Sequence, residues 1–434
     1  MNPMTRWLTL SAVVFAAGAA TACEDALRVE SPGRIPAGPL ENPANAALLV
    51  NGAVADFECA FGAYVVVGGL IGDELEDYTQ TADRWPYDRR DVQSRDRRYA
   101  VNTCENIGLY TPLQAARVSA NNIRRLLEAW TDGQVPNRQQ LTARAAAYEA
   151  WSLLLLGEAF CTTVLSTVEG QDFNYGMEIT RQAALAEAET RFTQAITAAQ
   201  QFTDTAMQNL TNMARLGRAR TRLDLNNTAG ARADAALVPP AFVYNVTASG
   251  VSTRRNNRVY NESNAIGVSS SVGPRYRAMN DPRVPWQDLN RPSSLGVPAI
   301  AQLKYTSTGA PIPLATGDEA QLIIAEIDAA NAATAPNAVT IINTYRARGN
   351  QGAYAGGLDA PSLRAEVIEQ RRRELFLEGA HLGDIVRYGL ALTPTTGTVY
   401  PAGGQYGTQQ CVGGTQVGLP LPDIERQNNP NLRT

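Results

Sequence analysis

Five cysteines, a single histidine and a few clustered carboxylates are the residues through which this 434-residue chain could do covalent, redox, metal or acid–base chemistry. Cys59, Cys104, Cys161 and Cys411 form an even set, and such a set pairs in an oxidising compartment. Three connectivities are open to four cysteines. Cys59 and Cys104 share one N-terminal segment, which favours Cys59 with Cys104 and Cys161 with Cys411; four buried free thiols are the alternative. His381 is the only histidine, so histidine-based metal sites and His-dependent triads are excluded unless His381 is the sole base. A glycoside hydrolase needs two carboxylates facing each other across a bond. Glu74, Glu76 and Asp77 are the best candidates, although a charged loop cluster is ordinarily plain surface. No catalytic residue, metal ligand or cofactor is assigned, and the chain is read as a non-enzyme.

Cys23 is the fifth cysteine, and its setting is different. Leu8 to Ala19 is an almost unbroken apolar run after the single charge of Arg6. At roughly a dozen residues it falls short of the roughly 20 that cross a bilayer, so residues 1–22 are expected to be a removable export signal. Ala20, Thr21 and Ala22 before Cys23 resemble the lipobox of bacterial lipoproteins, with Ala20 where leucine is usual; an ordinary small-residue cleavage site is the alternative. Acylated Cys23 would hold the protein to a membrane through several chains. The Pro- and Gly-rich stretch around Pro32, Gly33, Pro36, Gly38 and Pro39 makes residues 23–41 a tether. The formal charge of −4 gives no reason to expect nucleic acid as a partner.

The remaining elements must position whatever site exists. Apolar residues recur three or four apart from about Asn42, then through Ala116, Ile123, Leu126 and Leu127, and again at about 137–160, 180–201 and 205–225. Thr111 and Pro112 have the form of a capped helix start. Gly217, Ala219, Leu223, Gly230, Ala231 and Ala235 have the small-residue spacing of tetratricopeptide-like helix pairs, without the full repeat signature. Residues 42–237 are therefore expected to be a helical-repeat part. Residues 72–106 are an ordered surface excursion, with Asp and Arg crowded between 83 and 98. From Val238 to Thr308 the composition turns to Asn, Ser, Gly, Arg and Pro, a loop-rich insertion with a few short strands. Helical pattern returns at 318–331, 338–348 and 362–379. The fold class is mainly α.

The densest signal is residues 364–389, RAEVIEQRRRELFLEGAHLGDIVRYG. Its order of parts, a Glu-x-x-Arg-Arg run, an aromatic, Glu-Gly, then Asp384 and Arg387 before an aromatic and Gly389, resembles the C-terminal signature of the SusD/RagB family of outer-membrane nutrient-binding lipoproteins. Further matches are Asn280-Asp281-Pro282-Arg283, Pro311-Ile312-Pro313-Leu314 with Ala325-Glu326, the run Ile342 to Arg348, Leu419 to Ile424, and Asn429-Pro430-Asn431-Leu432. Ala380-His381 stands where the family has His-Arg. Arg371, Arg372, Arg373, Glu374, Glu378, Asp384 and Arg387 are read as a structural charge network rather than a ligand set.

The resemblance implies a SusD-like part over residues 238–434 packed with the preceding helices as one body. It also implies a lipid-anchored, surface-exposed outer-membrane protein. Such a protein captures an oligosaccharide or peptide and delivers it to a SusC-like TonB-dependent transporter. For a sugar ligand, Tyr78, Trp85, Tyr87, Tyr276 and Trp286 are the candidate stacking platforms. A helical scaffold of an outer-membrane complex is the competing reading.

Overall fold

Between Ala46 and Ile71 the sequence is apolar on every side, and a helix without a polar face has to lie inside. It forms α1, whose Phe57, Phe61, Tyr64 and Val65 are wholly buried. Among the described residues the stretch Pro43–Ile71 is the one helix long and apolar enough to cross a membrane, and most of it is enclosed by the protein. The computed structural model describes residues 40–169 and 172–433; the expected export signal, Cys23 and the expected tether up to residue 39 lie outside them. All elements below belong to one unit, residues 43–434.

Five helices continue the first half: α2 Tyr110–Ala129, α3 Arg138–Ala159, α4 Arg181–Ala199, α5 Thr205–Asp224 and α6 Thr228–Ala235. Each packs on the next, and α3 also touches α1 and α5, which makes it the central helix. Its Trp151 meets Phe192 edge-on at 5.6 Å. Gly217 permits this approach of α5, since a Cβ there would lie 2.3 Å from Phe192 and 3.0 Å from Trp151. Side chains stop the starts from fraying: Thr180, Asp204 and Asn227 accept from Ala183, Met207 and Gly230 N–H groups. Thr111 is not a cap, contrary to its sequence setting. The helix begins at Tyr110, and the Thr111 hydroxyl donates instead to the Ala100 carbonyl.

Short strands occur in both halves. Among the described residues all sheets are antiparallel pairs: β1 Leu75–Asp77 with β7 Ser270–Val272, β2 Thr162–Val164 with β5 Glu178–Thr180, β3 Thr167–Glu169 with β4 Asp172–Asn174, β6 Val243–Val246 with β10 Ile312–Thr316, and β8 Trp286–Asp288 with β9 Ile300–Gln302. β10 runs into α7 Gly317–Ala329, capped by Thr316, and then come α8 Ala335–Arg348, α9 Ala360–Glu374 and α10 His381–Tyr388.

Charges that would be costly alone are buried as a connected set. Arg371 and Arg387 each donate to Asp384 at 2.8 Å. Burial would raise the Asp384 carboxyl, but Arg371 and Arg387 outweigh it and hold it at about 2. Arg220 grips Glu158 with two bonds of 2.5 and 2.7 Å and reaches the Gly379 carbonyl. Arg283 joins Asp281 to Glu374, so the Asn280–Arg283 turn is fastened to α9. Disulfides join Cys59 to Cys104 and Cys161 to Cys411.

Candidate functional site

The segment between α1 and α2 is tied to neighbouring parts of the chain and lines an aromatic and charged recess. Tyr87 anchors it: its ring is buried and its hydroxyl donates to the Ile107 carbonyl at 3.1 Å. Trp85, Pro86, Tyr87 and Asp88 form one short helical turn. Asp88 accepts from the Asp77 N–H at 2.9 Å and from the Tyr400 hydroxyl at 3.1 Å, tying that turn to β1 and to the C-terminal coil. Farther along, Gln409 bonds both the N–H and the carbonyl of Val92, Gly407 N–H donates to the Arg89 carbonyl, and Asp423 N–H to that of Ser94.

Trp85 is half-buried and lines a cavity of about 560 Å³ with Arg89, Asp91, Arg95, Arg97 and Arg98. The Arg89 guanidinium lies 4.0 Å from its ring centre, covering one face. A second cavity of about 660 Å³ shares Asp91 and Gln93 with the first and runs along the Cys161–Cys411 bridge to Arg426. The two adjoin as one groove whose lining is largely charged and polar.

The other candidates divide by burial. Tyr276 and Tyr87 are corrections: both rings are enclosed, Tyr276 stacked 5.2 Å from Phe376 with His381 edge-on at 5.7 Å, so neither offers a face to a ligand. Tyr78 is partly buried on Val268, Ala299 and Ala301, its hydroxyl donating to the Arg291 carbonyl. Trp286 is 38% exposed on β8, opposite Gln302. Trp85 is thus the one of the five that lines the groove.

The carboxylates are committed elsewhere. Glu74 accepts from the Leu377 N–H at 2.8 Å, Glu76 is paired with Arg277, and Asp77 accepts from Gln80 N–H and the Thr79 hydroxyl. None of the three lines the groove. His381 is buried 3.5 Å from Asp73. Among the described residues no group of three or more His, Cys, Asp or Glu could hold a metal ion. A further recess of about 990 Å³ lies beside Arg364, Arg387 and Tyr388, but the Tyr388 ring is flanked by both guanidinium groups, at 4.9 and 4.2 Å. Sequence reasoning missed Arg89, Arg95, Arg97 and Arg98 as lining residues; the crowding of arginine at 83–98 was the available signal.

The whole fold is similar to that of a SusD superfamily protein from Bacteroides fragilis, with a TM-score of 0.67 over 91% of this chain and 99% of that one at 15% identity. A laminarin-binding SusD-like protein matches over 90% of this chain and 98% of its own, with a TM-score of 0.66 and 15% identity. A SusD-like carbohydrate-binding protein from Bacteroides vulgatus ATCC 8482 matches over 80% and 83%, with a TM-score of 0.59 and 14% identity. No family model and no curated protein matches the sequence. The chain therefore has the SusD-like fold that its C-terminal motifs suggest, a likeness carried by architecture.

Proposed function

We propose that this protein is a SusD/RagB-type lipoprotein that captures an oligosaccharide in the groove at Trp85 and hands it to a SusC-like TonB-dependent transporter. The SusD-like fold over about nine tenths of the chain is the observation that carries this reading; two of the similar structures bear names that state laminarin or carbohydrate binding. The groove adds a physical reason. Capture for handover needs a shaped polar surface with an aromatic wall and moderate affinity, and no preorganised acid–base pair. Cys23, once acylated, anchors the body at the outer membrane, and the stretch to residue 41 gives it reach.

Glycan-array binding followed by titration of the mature protein tests ligand capture. Trp85→Ala is expected to weaken binding about tenfold, or about 1.4 kcal/mol, with the far-UV spectrum unchanged. Affinity capture from native membranes tests the handover and should recover a TonB-dependent barrel. Absence of glycan binding together with recovery of other outer-membrane assembly proteins would replace capture with the scaffold reading. Hydrolysis of a bound glycan would move the protein to the enzymes.

A further inference from the structure

We infer that the ligand of the Trp85 groove is an anionic oligosaccharide, one whose sugar rings carry carboxylate or sulfate oxyanions. This rests on the groove being the binding site, and it concerns the charge of what binds there. The chain as a whole is acidic, with a formal charge of −4. The 560 Å³ half of the groove goes the other way: four arginines, Arg89, Arg95, Arg97 and Arg98, face two aspartates, Asp91 and Asp96. The aspartates are already used. Asp91 holds Arg89 at 2.6 Å, and Asp96 caps the Arg98 N–H at 2.9 Å while lying 3.3 Å from its guanidinium.

Arg95 and Arg97 are exposed, and neither side chain makes a hydrogen bond or ion pair with any described residue. Arg89 retains a buried Nε with no partner. Many arginines elsewhere are matched by carboxylates, as at Arg218–Asp234, Arg232–Asp328 and Arg426–Glu178, and others bond carbonyls or amides, as Arg291 does the Ile266 carbonyl and Arg144 the Asn51 amide. The groove thus places two guanidinium groups with no internal partner beside one tryptophan, free to bind an anion. A guanidinium fork matches a planar carboxylate or a sulfate bidentately, and the half-buried tryptophan beside it adds an apolar surface for the sugar ring. The 660 Å³ half differs: its Arg426 is engaged by Glu178 with two bonds of 2.5 and 2.7 Å, so it suits neutral, hydroxyl-rich units of the same chain.

Calorimetric titration of the full mature protein with oligogalacturonate, a sulfated galactan oligomer, a neutral gluco-oligosaccharide and polyphosphate, at low and at high sodium chloride, tests the inference. One or both acidic sugars should bind, more weakly at high salt, because exposed charge contacts are screened. The two acidic sugars separate carboxylate from sulfate. Arg95→Ala/Arg97→Ala should cost about tenfold in affinity for the acidic sugar and reduce its salt dependence, whereas Arg95→Lys/Arg97→Lys should retain the salt dependence and lose part of the affinity. Neutral sugar bound in a Trp85-dependent way, with no effect of salt or of the arginine variants, keeps the groove and overturns the anionic ligand. Polyphosphate bound as tightly as the acidic sugar overturns it as well, since charge alone would then suffice. Acidic sugar bound with no effect of Trp85→Ala or of either arginine pair overturns the groove itself.

Discussion

Asp88 shows how one carboxyl couples the recess to solution conditions. It is 5% exposed. Burial pushes its carboxyl from the ordinary 3.8 up to about 7; the neighbouring Glu76 and Asp77 charges add to this, and the bonds from Asp77 N–H and Tyr400 oppose it. Asp77 and Glu74 rise to about 6, in both cases mainly through burial. The folded state thus holds these protons more tightly than the unfolded chain. Their stabilising effect is complete below about pH 4 and is lost as pH rises through 6 and 7. Each tenfold difference in proton affinity corresponds to about 1.4 kcal/mol. Asp88→Asn keeps an acceptor for the Asp77 N–H and removes the charge. Its melting temperature should exceed that of the parent at pH 8, approach it near pH 4 and vary less between them; a variant melting in parallel with the parent across this range would remove Asp88 from the account.

At the scale of elements, the helices were legible because a buried helical face repeats every three to four residues whatever it packs against. The stretches expected at 180–201 and 205–225 are Arg181–Ala199 and Thr205–Asp224. The groove was not legible, because its walls come from segments far apart in the chain: Gln409 holds Val92 across 317 positions. Tyr87 and Tyr276 lie among polar neighbours in sequence, yet each ring turns inward, a choice set by tertiary partners such as Phe376 that no local pattern reveals. The Cys161–Cys411 bridge belongs to this level. It joins the end of α3 to the coil that clamps Val92, where Leu419 N–H also donates to the Ala159 carbonyl. The bridge spans 250 positions, for which chain entropy gives a stabilisation on the order of 5 kcal/mol. Cys161→Ser/Cys411→Ser should lower the melting temperature by several degrees and expose the 405–420 coil to protease first. Equal melting of oxidised parent and variant would show that the bridge constrains nothing.

For the molecule as a whole, the helical half and the loop-rich half are joined through their interiors. Glu74 accepts from Leu377, Tyr64 donates to Glu158 at 2.5 Å, and Arg220 binds both Glu158 and the Gly379 carbonyl, so α1, α3 and α5 reach the turn between α9 and α10 through one buried set of bonds. Gly68 of α1 lies against Leu382 of α10. Removing the second half would take the Leu377 N–H from Glu74, the Gly379 carbonyl from Arg220 and the Leu382 contact from α1, and each polar group left without its partner costs about 1–3 kcal/mol. Neither half is then a stable state while the other is unfolded, even though chains of this length often unfold in stages. Calorimetry of the mature protein should show a single endotherm whose calorimetric and van't Hoff enthalpies agree, and residues 43–237 expressed alone should not give a cooperative melt. Two resolved endotherms, or a folded 43–237 fragment, would mean that the buried bonds between the halves are weaker than the packing within each.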